Sequence, residues 1–363
     1  MNSEQTRQEI IDEILESDMN DAFSILEAEF HTQKDRLIQD FIHSFQQMCV
    51  KIKQLQERGR KAPIAYIHYS LLRTSILQQK YTYLIEAYSE EWYGDENECF
   101  SWYDASWFYK SFAPLQSLLA QKLKKYFRLF QPGDRERIML KYIPYYHQFV
   151  VAIARLAICQ AMELPEAKHI AKSEIFRIRI GEFKDISEDI YVSDSQAKTL
   201  QYVRKLQRQD IQLAYEDLTE LSLQGQSLDH TEMRYADFRG GQLTNCKLRG
   251  CILIGTRWNG AILSQSDFSQ SLITDADFSQ CDLRETSFRH ANGKGFREGL
   301  YRSPGLQGIR FADANLEGAD FRGAELFCAD FQGANLRGAI FSESDVNKYQ
   351  LSEEQLQSID TVL

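Results

Sequence analysis

Between Phe311 and Phe341 the chain reads FADANLEGADFRGAELFCADFQGANLRGAIF, with Phe or Leu at every fifth position and Ala two places before nearly every one. A period of five fits neither common element. Five helical residues advance about 500°, a net rotation of roughly 140°, so the apolar set would spiral round a helix without forming a stripe. Successive side chains of a flat strand alternate between faces, so an odd period would send every second Phe or Leu into water. The conflict disappears if the chain turns a corner every five residues. Each short extended piece then directs its central residue inward, and the residue two places earlier shares that side. A small side chain there fits a narrow interior. The pattern describes a chain winding around a filled bore, a solenoid.

The register extends far upstream. From Leu213 through Met233, Phe238, Trp258 and Ile273 to Phe288, sixteen consecutive fifth positions are apolar. A second series of eight runs from Phe311 to Val346. With 43% apolar residues in the chain, chance does not produce such runs. The position two places earlier is mostly small, as at Ala236, Cys246, Cys251, Ala261, Ser266, Ala276 and Cys281. The motif A-(D/N)-L-x-x, seen in Ala314-Asn315-Leu316-Glu317-Gly318 and Ala329-Asp330-Phe331-Gln332-Gly333, closely resembles that of the pentapeptide-repeat family. The resemblance covers residues 211–348. It implies a right-handed quadrilateral β-helix with four pentapeptides per coil. At roughly 4.8 Å per coil, about six coils would make a rod about 29 Å long. It specifies shape far more than function, because one fold hosts many functions.

The residues before the solenoid carry helical spacings instead. Apolar positions three, four or seven apart run from Ile10 to Leu55, and ERGRKAP (Glu57–Pro63) ends that run. Further helices are expected over Ala65–Tyr88 and Trp102–Phe130, where QPGD (Gln131–Asp134) stops the chain, and from Arg135 onward through Pro144. IFRIRIGEF (Ile175–Phe183) alternates and reads as a strand. Thr199–Arg208 reads as a helix lidding the first coil. The expected fold class is therefore α+β multidomain. A mostly α-helical domain covers residues 1–205, a β-helix covers 206–348 with an irregular insertion at 289–310, and a C-terminal helical cap covers 349–363. Ser352 and Gln355 have the spacing of a capping box.

The first thirty residues hold nine acids and one base, which is not the basic start of a signal peptide. The longest strongly apolar run, Phe149–Ala154, is too short to span a bilayer. The protein is expected to be cytoplasmic and to need no membrane. Seven cysteines without zinc spacing are expected to be reduced, structural thiols, with Cys328 facing outward.

Three groups of residues are candidates for binding. Residues twenty apart should stack on one face, and the face centred on Leu213, Met233, Leu253 and Ile273 displays Tyr215, Tyr235, Ile252, Ile254 and Leu272. Such a cluster marks a contact surface, for the protein's own helical domain or for a partner. The break between Phe288 and Phe311 spans 23 residues, read as one coil of twenty plus three, and holds Arg289, Lys294, Arg297, Arg302 and Arg310. It reads as a basic loop for an acidic partner or as a tolerated insertion. The segment Glu90–Tyr109 carries Trp92, Asp95, Glu96, Trp102, Asp104 and Trp107. It reads as an aromatic pocket with an acidic rim, or as an acidic loop whose aromatics pack inside.

Motifs for nucleophilic catalysis, nucleotide binding and zinc hydrolysis are missing, and no two of the seven histidines lie three to five residues apart. No catalytic residue, cofactor or metal is assigned. The expected function is a non-catalytic scaffold or adaptor for a protein or peptide partner, not for nucleic acid. One alternative is an enzyme or enzyme subunit with chemistry in the helical domain. Another follows from the resemblance: some family members imitate duplex DNA and bind type II topoisomerases, giving resistance to quinolones or gyrase toxins. Residues 211–346 hold 19 acids and 13 bases, whereas a 29 Å duplex carries roughly 17 negative charges, which speaks against mimicry.

Overall fold

The computed structural model of the chain describes residues 3–126, 128–131, 133–195, 198–208, 213–295 and 305–362. The chain divides into two compact units, Met1–Tyr191 and Val192–Leu363. Among the described residues, no helix is long and apolar enough to cross a membrane.

The first unit opens on one continuous helix, α1 (Ser3–Glu57). Leu26, Phe30, Leu37, Phe41, Phe45, Met48 and Ile52 are all buried along it, as one apolar stripe requires. The chain then departs from the helical expectation. Ala65–Tyr88 forms two strands, β1 (Ile64–Leu71) and β2 (Thr82–Tyr88), around a single helical turn, α2 (Arg73–Leu77). The expected helix Trp102–Phe130 begins as a third strand, β3 (Phe100–Asp104), and becomes α-helical only in α3 (Phe112–Leu123). Helix α4 (Asp134–Met162) contains Pro144, and α5 (Pro165–His169) leads into β4 (Lys172–Glu182) and β5 (Ser187–Asp194). The sheet order is β3-β2-β1-β4-β5, with β1 antiparallel to β2 and parallel to β4. The first unit thus adds a five-stranded sheet to its helices and is mixed α and β. Strand β1 is buried at seven of eight positions, so it shows no alternation to distinguish it from a buried helix.

One sheet face packs on helices. Tyr69 stacks on Phe41 of α1 at 4.8 Å, and Tyr83 shares a 2.8 Å hydrogen bond with Nδ1 of His147 on α4. On the opposite face His68 is only 1% exposed, with Glu86 and Arg179 as cross-strand neighbours. Among the described residues neither of its ring nitrogens has a hydrogen-bond partner. Burial, helped by the Arg179 charge, lowers its pKa from 6.5 to about 4.

The second unit contains the solenoid. Parallel β-bridges join residues twenty apart, as in Asp217↔Asp237, Ser222↔Gln242, Ser227↔Lys247 and Glu232↔Ile252, so each coil comprises four pentapeptides. Helix α6 (Leu200–Arg208) adds Val203 and Leu206 to the solenoid core, as expected of a lid. Beside columns of Leu, Met and Ile, the bore holds two ring stacks. Phe238, Trp258, Phe278, Phe311 and Phe331 follow one another at 4.2, 5.9, 5.4 and 5.1 Å. Phe268, Phe288, Phe321 and Phe341 form the second at 5.2, 5.2 and 4.8 Å. The stacks meet edge to face, as at Phe278 and Phe288, which satisfies the ring quadrupoles. The small inward positions also bond along the axis. The Cys246 thiol donates to Leu223 O at 2.9 Å, and the Ser266 hydroxyl to Leu243 O at 2.6 Å. Burial pushes the thiols of Cys246 up to about 11 and of Cys251 and Cys281 up to about 12, so these cysteines are structural. All seven cysteines are free, and Cys328 is exposed.

The break differs from one irregular coil. Leu272 still bridges Asn292, so a regular pentapeptide follows Phe288, with Gly293 in the plug position. Asp277↔Arg310 and Asp282↔Asn315 are then thirty-three residues apart instead of twenty, an insertion of thirteen. Gly293 leaves a hole in the bore, and Ile309 fills it. A Cβ on Gly293 would lie 2.1 Å from Ile309 Cδ1, and Ile309 is fully buried. At the far end β6 (Ile340–Ser342) leads into α7 (Glu343–Val346), so Val346 lies in a helical turn and does not continue the plugs. The capping box of Ser352 and Gln355 starts α8 (Glu353–Ser358). The final strand, β7 (Asp360–Val362), pairs in parallel with β6.

Two outcomes follow from this packing. Ile309→Ala removes a plug that nothing else can replace and should cost about 2–5 kcal/mol in urea unfolding of the full chain. His68 is neutral when folded, so its contribution is complete above its ordinary pKa of 6.5 and lost as pH falls toward 4. That loss is as much as about 3 kcal/mol. His68→Leu should flatten the stability profile between pH 6.5 and 4, measured by urea midpoints at each pH.

Candidate functional site

The corners of the coil decide what the surface offers. The Asp or Asn preceding each plug accepts the backbone N–H two residues on, as Asp277 does from Ser279 at 3.0 Å and Asp330 from Gln332 at 2.9 Å. This local turn explains the residue choice. Many of these carboxylates also bind arginine. Asp237 takes both Arg239 and Arg257 at 2.9 Å and Asp282 takes Arg284 at 2.7 Å, while Asp229, which follows the plug Leu228, takes Arg249 at 2.6 Å. The guanidinium groups of Arg249 and Arg284 hold the Asp229 and Asp282 carboxyls below the usual carboxylate range. Much of the rod's acid is therefore neutralised in place.

The apolar face is assembled largely as the twenty-residue spacing requires. Tyr215 and Tyr235 occupy equivalent corners of successive coils, both with positive φ, and their rings stack at 5.4 Å. In the next coil the corner is Gly255, where a Cβ would lie 2.3 Å from Tyr235 Cε1. The missing side chain lets the ring lie over the backbone. Ile252 and Leu272 are bridge partners on the same side, and all four of these side chains are half-buried. Ile254 is a correction: it is 1% exposed and not displayed. Thr274, twenty residues on, is buried too, and its hydroxyl donates to Lys294 O. Asp275 Oδ1 accepts the N–H groups of Gln307 and Gly308, both at 3.0 Å. The chain returning from the insertion is thus clamped to the edge of the apolar face.

The basic group does not form one loop. Arg289 is exposed on a regular coil, 3.8 Å from Asp320. Arg310 bridges to Asp277 and pairs with its carboxylate. Lys294 pairs with Glu325 at 2.7 Å. Arg297 and Arg302 lie outside the described residues. The Asp275 clamp and the Ile309 plug escaped the sequence reading. Their signal was an Asp at a corner and an Ile at a position otherwise small.

The aromatic-acidic pocket does not assemble either. Trp92 meets Tyr66 edge-on at 3.9 Å and lies 5.9 Å from His68. Trp102 stands exposed on β3, and Trp107 carries Lys110 over its ring at 4.9 Å. Asp95 and Lys61 form a buried ion pair at 2.8 Å. Burial raises the Asp95 carboxyl, but Lys61 and the amides of Ser89 and Asn97 outweigh it and leave the pKa lowered. Asp104 caps the amide of Ser106 at 2.9 Å, and Glu96 is exposed. The acids here fix loops or face solvent. Among the described residues no His, Cys, Asp and Glu side chains group as metal ligands.

The family comparison places its match in the second unit. The family model described as pentapeptide repeats matches residues 242–280, 271–295 and 306–342, in eight copies. No curated protein matches. A trypsin-treated form of QnrB1, a plasmid-mediated fluoroquinolone resistance protein, is 28% identical over 34% of this chain and 56% of its own, with a TM-score of 0.29. This chain thus spans little more than half of that relative. A pentapeptide repeat protein from the Arabidopsis thaliana thylakoid lumen is 22% identical over 39% and 71%, with a TM-score of 0.18. Rfr23 from the cyanobacterium Cyanothece 51142 is 15% identical over 39% and 95%, with a TM-score of 0.21. With eight repeat copies matched and the five-residue bore laid out coil by coil, the C-terminal region of this chain is a pentapeptide-repeat domain.

Proposed function

We propose that the chain is a non-catalytic scaffold that binds a protein or peptide partner through the Tyr215–Tyr235–Ile252–Leu272 stripe of a right-handed quadrilateral β-helix. The observation that carries this reading is the stripe itself: four large side chains half-exposed on adjoining coils. Outward positions elsewhere on the rod are mostly polar or charged. Aromatic and aliphatic groups clustered in this way favour partner contacts. Rung hydrogen bonds hold them in place before binding, so little ordering entropy opposes association. Seven unpaired thiols suit a reducing compartment, which we read as the cytoplasm.

Duplex-DNA mimicry fits less well. A mimic needs unpaired negative charge along the rod, and here Asp229, Asp237, Asp277, Asp282 and Asp320 are each engaged by arginine.

Affinity capture from the native cell tests the scaffold reading, with the full chain beside an Ile252→Glu/Leu272→Glu variant. A specific partner should be recovered by the parent and lost by the variant, while the two melt at the same temperature. Equal recovery by both would remove the stripe from the function. Purified protein is expected to leave gyrase supercoiling unchanged. Inhibition or protection at stoichiometric concentration would revive the mimicry reading.

A further inference from the structure

The last coil of a solenoid has no successor, so its rung-bonding groups need other partners. On each regular side three groups point to the next coil. In the preceding coil these are Phe311 N, which donates to Asp330 O, Asp313 N, which donates to Gln332 O, and Ile309 O, which accepts from Asp330 N. The cap supplies substitutes on three sides of the final coil. The Tyr349 hydroxyl reaches Ala324 O at 3.3 Å, and the Leu326 amide lies against it. Gln355 Nε2 donates to Ala334 O at 3.0 Å, and Gly338 N donates to Ser358 O. Strand β7 continues the side of Ile340. The Asp330 side differs. Among the described residues nothing bonds to Phe331 N, Gly333 N or Ala329 O. Residues Gln350–Ser352, which twenty-residue spacing would place there, do not pair with it, and Gln350 and Ser352 instead line a cavity of about 1740 Å³ beside it.

The charge on that side is also incomplete. Where an Asp precedes the plug, an arginine one coil on repeatedly neutralises it, as Arg257 does for Asp237 and Arg310 for Asp277. The Asp330 carboxylate caps Gln332 N and, among the described residues, has no cation. The plug beneath is Phe331, already covered edge-on by Tyr349 at 5.9 Å. Only a small inward side chain fits above it.

We infer that the Asp330 side of the last coil is a peptide-binding edge that takes an extended partner segment as the next rung. The segment carries Arg or Lys opposite Asp330 and small residues on either side of it. Its basic residue gives its N–H to Ala329 O and accepts from Phe331 N. The residue two further on accepts from Gly333 N. This is strand addition, in which backbone bonds supply affinity and alternate side chains supply selectivity. The edge lies on a different part of the rod from the Tyr215–Leu272 stripe and does not depend on it.

The test is fluorescence anisotropy on the full chain with dye-labelled acetyl-Ser-Ala-Arg-Ala-Ser-Gly-amide. Three new hydrogen bonds and one ion pair should give a Kd of about 0.1–1 mM. N-methylation of the arginine amide should weaken binding at least about tenfold, since it removes one rung bond and inserts a methyl. Asp330→Asn keeps the turn at Gln332 and removes the charge. It should weaken binding about threefold to tenfold with an unchanged melting temperature. A peptide with Glu for Arg should not bind. No binding up to several millimolar overturns the inference. So does equal binding of the N-methyl peptide, which would mean adhesion to an acidic protein. Concentration-dependent dimerisation in sedimentation that Asp330→Asn leaves intact and that excludes the peptide would also overturn it, because the edge would then belong to a second copy of the chain.

Discussion

A coil that returns to the same side every twenty residues fixes the width of its own bore. The rungs are parallel β-bridges, so successive coils sit about 4.8 Å apart, and aromatic rings prefer offset stacks or edge contacts at roughly that spacing and above. The two Phe-rich columns therefore match the backbone repeat without strain, with ring centroids 4.2–5.9 Å apart. Each plug is worth roughly 1.5–3 kcal/mol of burial, and each coil must supply its own. Gly293 shows how strict the demand is. When one repeat lacks its plug, the chain resumes after a thirteen-residue insertion with Ile309 in a position elsewhere mostly filled by a small residue. The insertion and the hole are one feature, and the bore stays full across it.

The same rule explains why the two units differed in legibility. In the solenoid every structural requirement falls on a fixed position: plug, small neighbour, turn-forming Asp or Asn, left-handed corner. Sequence periodicity reports the first two, and the structure explains the Asp or Asn and the left-handed corner. What periodicity did not report beyond these depended on contacts outside the period. Ile254 sits in an outward position yet is buried, in a column where Thr274 is held by the chain around the insertion. Val346 continues the count of five but falls in α7, because the chain leaves the coil after β6. In the first unit the demand comes from neighbours far apart in sequence. Strand β1 lies in the middle of a five-stranded sheet and is covered on both faces, so its apolar residues carry no strand period. Tyr69 and Tyr83 pack on Phe41 and His147, partners that no local pattern announces.

Charge on the rod follows from the corner chemistry before it follows from any partner. Where an Asp precedes the plug, it ties the amide two residues on, as at Asp267, Asp277 and Asp320. A carboxylate fixed in that position is a ready acceptor for an arginine on its own coil or the next. The resulting Asp–Arg ladders are each worth little where exposed. Their consequence is for recognition: they leave little continuous negative charge along the rod. The half-buried apolar groups Tyr215, Tyr235, Ile252 and Leu272 lie on one side.

An end is a different problem from a face. A rod of this kind satisfies its backbone only by adding coils, and a finite chain must stop. The N-terminal end is closed by α6, whose Val203 and Leu206 cover the first plugs. The C-terminal end is closed by side chains standing in for strands, with Tyr349 and Gln355 bonding to carbonyls of the last coil. Side chains can reach only the groups beneath them. On the Asp330 side Gln355 reaches Phe331 O, but among the described residues nothing reaches Phe331 N, Gly333 N or Ala329 O, a fixed row of two donors and one acceptor above a carboxylate without a cation. Such a row is costly to leave dry and weakly held by water, and an extended chain of matching register satisfies it without moving any residue of the rod. Recognition there would be built from the same bonds that build the solenoid, with selectivity coming from the one charge and the one covered plug that the last coil leaves behind.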